Sequence, residues 1–296
     1  MSMDAVTLPD LSGRTAVVTG ANSGLGVETT RMLAGMGARV VMAVRDVDKG
    51  REAADTVRGE TEVRRLDLAD LASVRAFAQE WEGDLHLLIN NAGVMAIPES
   101  RTRDGFETQF GTNHLGHFAL TNLLLEHVTG RVVTVSSSLH RMAPGIDFDN
   151  VDLVGRYTPY RAYAQSKLAN MLFTLELQRR LMDAGSPVLA AASHPGYAAT
   201  RLQSHSSSRI QRGLLAVGNR IFAQSAAAGA LPTIYAATQD VPGAAYAGPK
   251  NLGGQRGAPA LAGRSEAAWD GVAAQRLWTL SERLTGVTFP LRAKPD

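Results

Sequence analysis

Short, uninterrupted apolar runs alternate along the chain with longer segments whose apolar positions recur every three or four residues. Arg14–Thr19 (RTAVVT), Arg39–Val44 (RVVMAV), Glu62–Leu66, Leu85–Asn90 (LHLLIN), Arg131–Ser136 (RVVTVS) and Pro187–Ser193 (PVLAAAS) read as strands. These runs lack the in–out alternation of a half-covered strand, so each predicts burial on both faces of its sheet. Leu25, Thr29, Met32, Leu33 and Met36 mark a helix that Gly37 terminates. Further helices are predicted over Val47–Arg58, Ala69–Trp81 and from about Tyr160 to Met182. A last one, Glu266–Leu284, would dock through Trp269, Leu277, Trp278 and Leu284 onto the domain or a second subunit. Because each parallel connection needs a crossover, this alternation predicts an α/β fold. The expected architecture is a Rossmann-like doubly wound parallel sheet flanked by helices on both faces, in a single domain over residues 1–296.

Composition narrows the function classes. Of 296 residues, 45% are apolar and 20% charged, which suits a large core and not a disordered chain. Lys and Arg number 30 against 28 Asp and Glu, a net charge of +2 with no basic run, so a dedicated nucleic-acid binder is not expected. The absence of cysteine excludes disulfides, Cys-ligated metals and thiol nucleophiles. The first residues lack a signal-peptide pattern, and the most apolar stretch, Gly213–Ala237, is interrupted by Asn219, Arg220, Gln224 and Pro232. No membrane anchor and a cytoplasmic location are therefore expected. Gly243–Arg264 is rich in Gly, Ala and Pro and reads as a boundary by composition, but too little chain follows it for a second domain.

The turn between the first strand and first helix, Thr19-Gly20-Ala21-Asn22-Ser23-Gly24-Leu25-Gly26, carries the first chemical signal. Glycines let backbone approach a pyrophosphate closely, and the following helix start offers free N–H groups. The spacing G-x-x-x-G-x-G differs from the common G-x-G-x-x-G, and no Lys follows Gly26, so a triphosphate P-loop is excluded. An ordinary glycine-rich turn is the alternative.

With T-G-x-x-x-G-x-G in that context, the sequence resembles the short-chain dehydrogenases/reductases. The resemblance continues through Asn90-Asn91-Ala92-Gly93, Asn113, Ser137, Tyr163-Ala164-Gln165-Ser166-Lys167, and His194-Pro195-Gly196 with Thr200 beyond. NHLGHF (Asn113–Phe118), SSSLH (Ser136–His140) and YAQSKLAN (Tyr163–Asn170) look most like the retinol-dehydrogenase-like branch, many of whose members carry an N-terminal anchor for which this chain has no room before its glycine motif. The resemblance implies a nicotinamide cofactor held by Gly20, Asn22, Ser23, Gly24, Leu25, Gly26, Asp67, Leu68, Asn91, Ala92, Gly93, Tyr163, Lys167, Pro195, Gly196 and Thr200. It implies catalytic roles for Asn113, Ser137, Tyr163 and Lys167, a cofactor half over about 12–135, a substrate half over about 136–296, and a substrate lid near 198–224. In the resembled family Asn113 holds a proton-relaying water, and the second serine of Ser136-Ser137-Ser138 orients the substrate oxygen, with Ser138 as the fallback. A lipophilic alcohol or carbonyl is the substrate class implied, and relatives include monomers as well as homo-oligomers.

Spacing adds its own argument. Tyr163 and Lys167 are four apart, hence one turn apart on one helix face. An unperturbed phenol is a poor base near neutrality, and a nearby ammonium favours its ionised form, as the charge of an oxidised nicotinamide would. Hydride would pass between the nicotinamide and a substrate carbon while Tyr163 exchanges the proton on oxygen. The second strand ends in Val44-Arg45-Asp46. An acidic residue here would favour NAD, a basic one the 2′-phosphate of NADP. The resemblance places Val44 where NAD-using relatives carry Asp and Arg45 as in NADP-using relatives, which implies NADP with NAD as the alternative, and Asp46 then reads as the cap of the next helix. His114 and His117, three apart, read as ordinary helix residues with no third ligand nearby, so no metal is expected. Apolar Met95, Ile97, Leu139, Met142, Tyr197, Leu214 and Ile221 are candidates for a substrate wall. The competing readings are a catalytically silent cofactor-binding sensor or scaffold, and a sugar-nucleotide epimerase or dehydratase. The latter is disfavoured by the glycine spacing and the lack of a larger C-terminal domain.

Overall fold

The computed structural model describes residues 8–196 and 225–292. Its strands are β1 (Thr15–Thr19), β2 (Arg39–Val44), β3 (Thr61–Arg65), β4 (Leu85–Asn90), β5 (Val128–Val135), β6 (Leu189–Ser193), β7 (Tyr246–Asn251) and β8 (Arg256–Leu261). They form one sheet in the order β3-β2-β1-β4-β5-β6-β7-β8, with every pair parallel except the last. The helices are α1 (Gly24–Gly35), α2 (Val47–Ala54), α3 (Leu71–Gln79), α4 (Thr108–Phe110), α5 (Gly116–Leu124), α6 (Pro159–Asp183), α7 (Ala226–Thr238) and α8 (Gly271–Thr285).

Both faces of the sheet are covered, as the continuous apolar strands require. On β1, Val17 joins Phe118, Phe173 and Trp278 on one face, while Ala16 and Val18 join Leu33 and Ile234 on the other. Helix starts follow their capping residues: the Asp46, Asp70, Thr158 and Asp270 side chains accept backbone N–H groups at the starts of α2, α3, α6 and α8.

The Gly/Pro-rich stretch Gly243–Arg264, expected not to open a second domain, supplies β7 and β8. Its backbone is satisfied by the neighbouring strand, with His194 N–H donating to Ala247 C=O at 2.9 Å, and Pro249 faces Pro259 across the antiparallel pair. Two expected helix bounds are corrected. The last helix does not begin at Glu266. Glu266–Trp269 is a 3₁₀ turn, and Asp270 caps a new helix. Trp269 consequently stays 59% exposed, with the Arg264 guanidinium 3.9 Å from its ring centroid. Trp278 does dock on the domain, edge-on to Phe118 at 4.9 Å and stacked on Phe173 at 5.7 Å. Such burial contributes about 1.5–3 kcal/mol per large apolar side chain. Finally, α2 ends at Ala54, short of the expected Arg58. Among the described residues no helix is long and apolar enough to cross a membrane.

Candidate active site

Strand order reverses between β1 and β4, and in doubly wound sheets the ligand crevice opens there, beyond the carboxyl ends of the strands. A cleft of about 420 Å³ occupies that position. It is lined by Gly20, Asn22, Ser23, Gly24, Leu25 and Gly26, by Arg45, Asp67 and Leu68, and by Asn91, Ala92 and Gly93. Gly20 and Gly24 have φ of 64° and 54°, a region that favours glycine. Thr19 ties the two halves of the cleft together, because its hydroxyl oxygen accepts the Asn91 and Ala92 N–H groups, both at 2.9 Å. The Asn91 amide returns a bond to Thr19 C=O at 2.7 Å. A Cβ on Gly26 would strike Gly20 C=O and come within 2.8 Å of the Asn91 amide nitrogen. Gly26→Ala is therefore expected to destabilise the protein by about 1–3 kcal/mol, read as a lower urea midpoint. An unchanged midpoint would mean the turn yields freely.

Sequence reasoning missed Lys49 on the cleft wall beside Arg45 and Asp46. Its only signal was a basic residue one turn into a capped helix. Asp46 is the cap, accepting Lys49 N–H at 3.2 Å and pairing with the Lys49 ammonium at 2.5 Å. Arg45 is exposed and makes no ion pair among the described residues. Asp67 Oδ1 accepts Ala69 N–H at 3.0 Å, so it shapes the turn after β3 while lining the cleft.

Next to the cleft, α6 and the end of β5 bring the sequence-predicted polar residues together. The Ser137 side chain interacts with the buried Tyr163 phenol in the sense that favours its ionised form. Ser137 Oγ also accepts Leu139 N–H at 3.2 Å. Within the serine run, Ser136 is buried and donates its hydroxyl to Lys167 C=O at 2.8 Å, while Ser137 and Ser138 are half-buried and Ser138 begins the 3₁₀ turn Ser138–Met142. Lys167 Nζ donates to Val135 C=O at 2.9 Å and lies 5.6 Å from the Tyr163 ring centroid. Asn113 lies in a π-helical turn, Gly111–Leu115, between α4 and α5. Its amide is clamped to Val94, accepting N–H at 2.8 Å and donating to C=O at 2.9 Å, and donates to Ser166 Oγ at 2.9 Å. Gly93 sits over this group, where a Cβ would lie 3.0 Å from Asn113 Oδ1 and 3.5 Å from Lys167 Nζ.

Burial governs the charge states. Desolvation pushes Tyr163 up to about 12, with the Ser137 side chain pulling the other way, and it pulls Lys167 down to about 8. The ammonium of Lys167 is expected to act on the phenol together with the charge of an oxidised nicotinamide, and without that charge burial prevails. That ammonium is turned to the Val135 carbonyl, and the protein alone keeps the proton on Tyr163.

His114 and His117 each serve a separate link. His117 Nδ1 is 3.0 Å from Asn113 C=O, which can only accept, so Nδ1 carries the proton and Nε2 accepts from the Thr19 hydroxyl at 2.9 Å. His114 Nε2 donates to Ser281 Oγ at 2.8 Å, since that hydroxyl is itself spent on Leu277 C=O. Pro195 and Gly196 follow β6 at the same sheet edge. Met142 lines a second hollow, of about 630 Å³, between residues 142–147 and the start of α6. Met95, Ile97 and Leu139 are half-buried. Thr200, Tyr197, Leu214, Ile221 and the proposed lid near 198–224 lie outside the described residues.

A doubly wound sheet with this glycine turn and this Ser–Tyr–Lys cluster defines a dinucleotide-dependent class, and the comparisons agree. The family model for short chain dehydrogenases matches residues 14–211, so the chain belongs to the short-chain dehydrogenase family, in a branch resembling retinol dehydrogenases. It is 51% identical to human retinol dehydrogenase 12 over 209 residues, 67% of this chain and 65% of that one. The aligned part thus spans less than two thirds of that relative. With human retinol dehydrogenase 13 it shares 42% identity over 306 aligned positions, covering 96% of this chain and 88% of the relative. A solved structure of an uncharacterised protein from Mycobacterium paratuberculosis superposes with a TM-score of 0.84 at 52% identity, over 97% of this chain and 98% of that one.

Proposed function

We propose that the protein is an NADP(H)-dependent oxidoreductase interconverting a lipophilic alcohol and its aldehyde or ketone. The observation that carries this reading is the Ser137–Tyr163–Lys167 cluster at the carboxyl edge of β5, beside a glycine-walled cleft. The cradle suits a dinucleotide: the glycine turn leaves no room for side chains, and the start of α1 supplies N–H groups for a pyrophosphate. Gly20–Gly26, Asp67, Leu68 and Asn91–Gly93 would hold the cofactor, with Pro195, Gly196 and Thr200 assigned to it through the family pattern.

When bound, the nicotinamide supplies the hydride donor or acceptor. The chain's own residues handle the oxygen. Ser137 holds the substrate oxygen, and Tyr163 gives its proton in reduction or takes one in oxidation. Lys167, poised near pH 8, supplies an adjacent positive charge. Asn113, fixed by Val94 and Ser166, keeps the loop after β4 registered on α6 and stands where the family's proton relay leaves the site.

Arg45 and Lys49 on the cleft wall favour a 2′-phosphate. Arg45→Ala is expected to raise the KM for NADPH roughly 10-fold or more, the scale of one lost charge-assisted contact, while leaving that for NADH nearly unchanged. An unaltered NADPH/NADH preference would overturn the assignment. The lipophilic substrate class is supported by the retinol dehydrogenases among the relatives. The test is NADPH binding by fluorescence beside NADPH consumption across a panel of lipophilic carbonyls. Binding without consumption of any compound would favour a non-enzymatic cofactor sensor.

A further inference from the structure

His140 is wholly buried in the 3₁₀ turn Ser138–Met142 that follows β5, immediately behind Ser137. Its two ring nitrogens are both engaged. Nδ1 lies 2.7 Å from Ser137 C=O. A carbonyl can only accept, so Nδ1 carries the proton and the neutral ring presents a lone pair at Nε2. That lone pair receives Ser265 N–H at 3.2 Å. The two bonds require the same tautomer, so the ring is a rigid strut with one defined orientation. It spans 125 positions of sequence, from the end of β5 to the segment entering the 3₁₀ turn Glu266–Trp269.

The neighbouring contacts reinforce the strut. Arg141 donates to Gly263 C=O at 2.5 Å, and Arg264 donates to Ala244 C=O, so the receiving segment is itself held from both sides. The imidazole packs edge-on against Tyr246 at 5.5 Å, and Tyr246 stacks on His194 at 4.9 Å. His194 in turn accepts Gly196 N–H at 3.3 Å. Gly248 makes this stack possible, since a Cβ there would occupy the place of the His194 ring.

We propose that His140 is a positioning residue: its Nδ1–H fixes the backbone carbonyl of Ser137, and thereby the direction of the Ser137 hydroxyl toward Tyr163 and the substrate oxygen, while its Nε2 anchors that turn to Ser265. The inference rests on the reading of Ser137 given above. A hydroxyl that swings by even a fraction of an ångström loses orientation in the reaction without loosening the distant nucleotide cleft. The strut's signature is therefore a fall in kcat with no change in cofactor affinity.

Three replacements separate the two bonds. His140→Asn puts an amide N–H near the place of Nδ1, keeping the Ser137 bond and giving up Ser265. His140→Gln puts an acceptor near the place of Nε2, keeping Ser265 and giving up the side-chain bond to Ser137 C=O, which retains only the backbone N–H of residue 140 at 3.1 Å. His140→Phe keeps ring volume and the Tyr246 packing but neither bond. With NADPH and any carbonyl the parent reduces, His140→Phe and His140→Gln are expected to lose roughly 10–100-fold in kcat, the scale of a misplaced catalytic group. Their NADPH dissociation constant and KM should stay within about twofold, and His140→Asn should retain most of the parent kcat, since its retained bond is the one that orients the serine. Parent-like kcat in both the Phe and Gln variants overturns the proposal, as does loss of NADPH affinity in step with kcat, or an Asn variant as impaired as the Phe variant. Should the Phe variant fail to fold, the Asn–Gln pair decides alone. Ser137→Ala separates this inference from the one beneath it. An inactive Ser137→Ala beside fully active His140 variants sinks only the strut. A fully active Ser137→Ala sinks the role of Ser137 and the strut together.

Discussion

Tyr163→Phe is expected to lose roughly 10²–10⁴-fold in kcat while binding NADPH as tightly as the parent. The substitution deletes one oxygen and keeps the ring, so the 5.6 Å approach of Lys167 and the packing of α6 survive. What disappears is the hydroxyl that meets Ser137 and holds a proton at neutral pH. The pH dependence has a definite sign. Burial penalises both charged forms, raising the phenol to about 12 and lowering the ammonium to about 8. Carbonyl reduction needs the phenol protonated and gains from the ammonium, so its kcat/KM should be flat below pH 8 and decline above it. Alcohol oxidation needs the phenol's proton gone and should climb with pH. Retained turnover in the Phe variant would remove Tyr163 from the chemistry.

Acidification from pH 7 to pH 5 is expected to cost the fold on the order of 2 kcal/mol for each of three buried histidines, a large share of a typical 5–15 kcal/mol stability. Desolvation holds His114 down to about 3, and His117 and His194 down to about 4, against an ordinary value of 6.5. Between pH 6.5 and about 4 the unfolded chain therefore takes up protons that the folded one refuses, and stability falls as the pH falls. The bonding explains the refusal. A proton on His117 Nε2 would face the Thr19 hydroxyl, and one on His194 Nδ1 would face Gly196 N–H. His114 Nδ1 is buried with no partner to receive a donated hydrogen. Urea unfolding across this range should show the midpoint falling steeply below pH 6.5, with the slope reduced by about one proton in His194→Gln. Equal midpoints at pH 7 and pH 5 would contradict it.

Elements β1, β2 and β4 to β6 were legible because a strand buried on both faces is apolar in its core, and the sequence writes that as runs such as RVVMAV; β3, TEVRR, is an edge strand that stays half-buried, and there the expectation of burial on both faces is corrected. The strands β7 and β8 were not legible, because YAGPKN and RGAPAL carry glycines and prolines whose strand state depends on a partner already in place. The helix α7 was hidden by its internal Pro232, and the break before α8 by Asp270, a residue that reads equally as surface or cap. At the site, the glycine turn and the Tyr163–Lys167 spacing are local patterns and so were readable. The bond from the Ser136 hydroxyl to Lys167 C=O, the presence of Lys49 in the cleft and the tie from His140 to Ser265 all depend on residues far apart in sequence. No window along the chain contains them.

The two borders of the sheet differ from its interior. At one border β3 is TEVRR, with Glu62 paired to Arg39 and Arg64; at the other, β8 carries Pro259 opposite Pro249. Charge discourages an incoming strand at the first, and a residue without an amide hydrogen interrupts the ladder at the second. Neither rim, among the described residues, invites another copy to extend the ribbon, so self-association of this protein would have to proceed through helical or loop surfaces, and crowded solutions are protected from the stacking that open β edges otherwise seed.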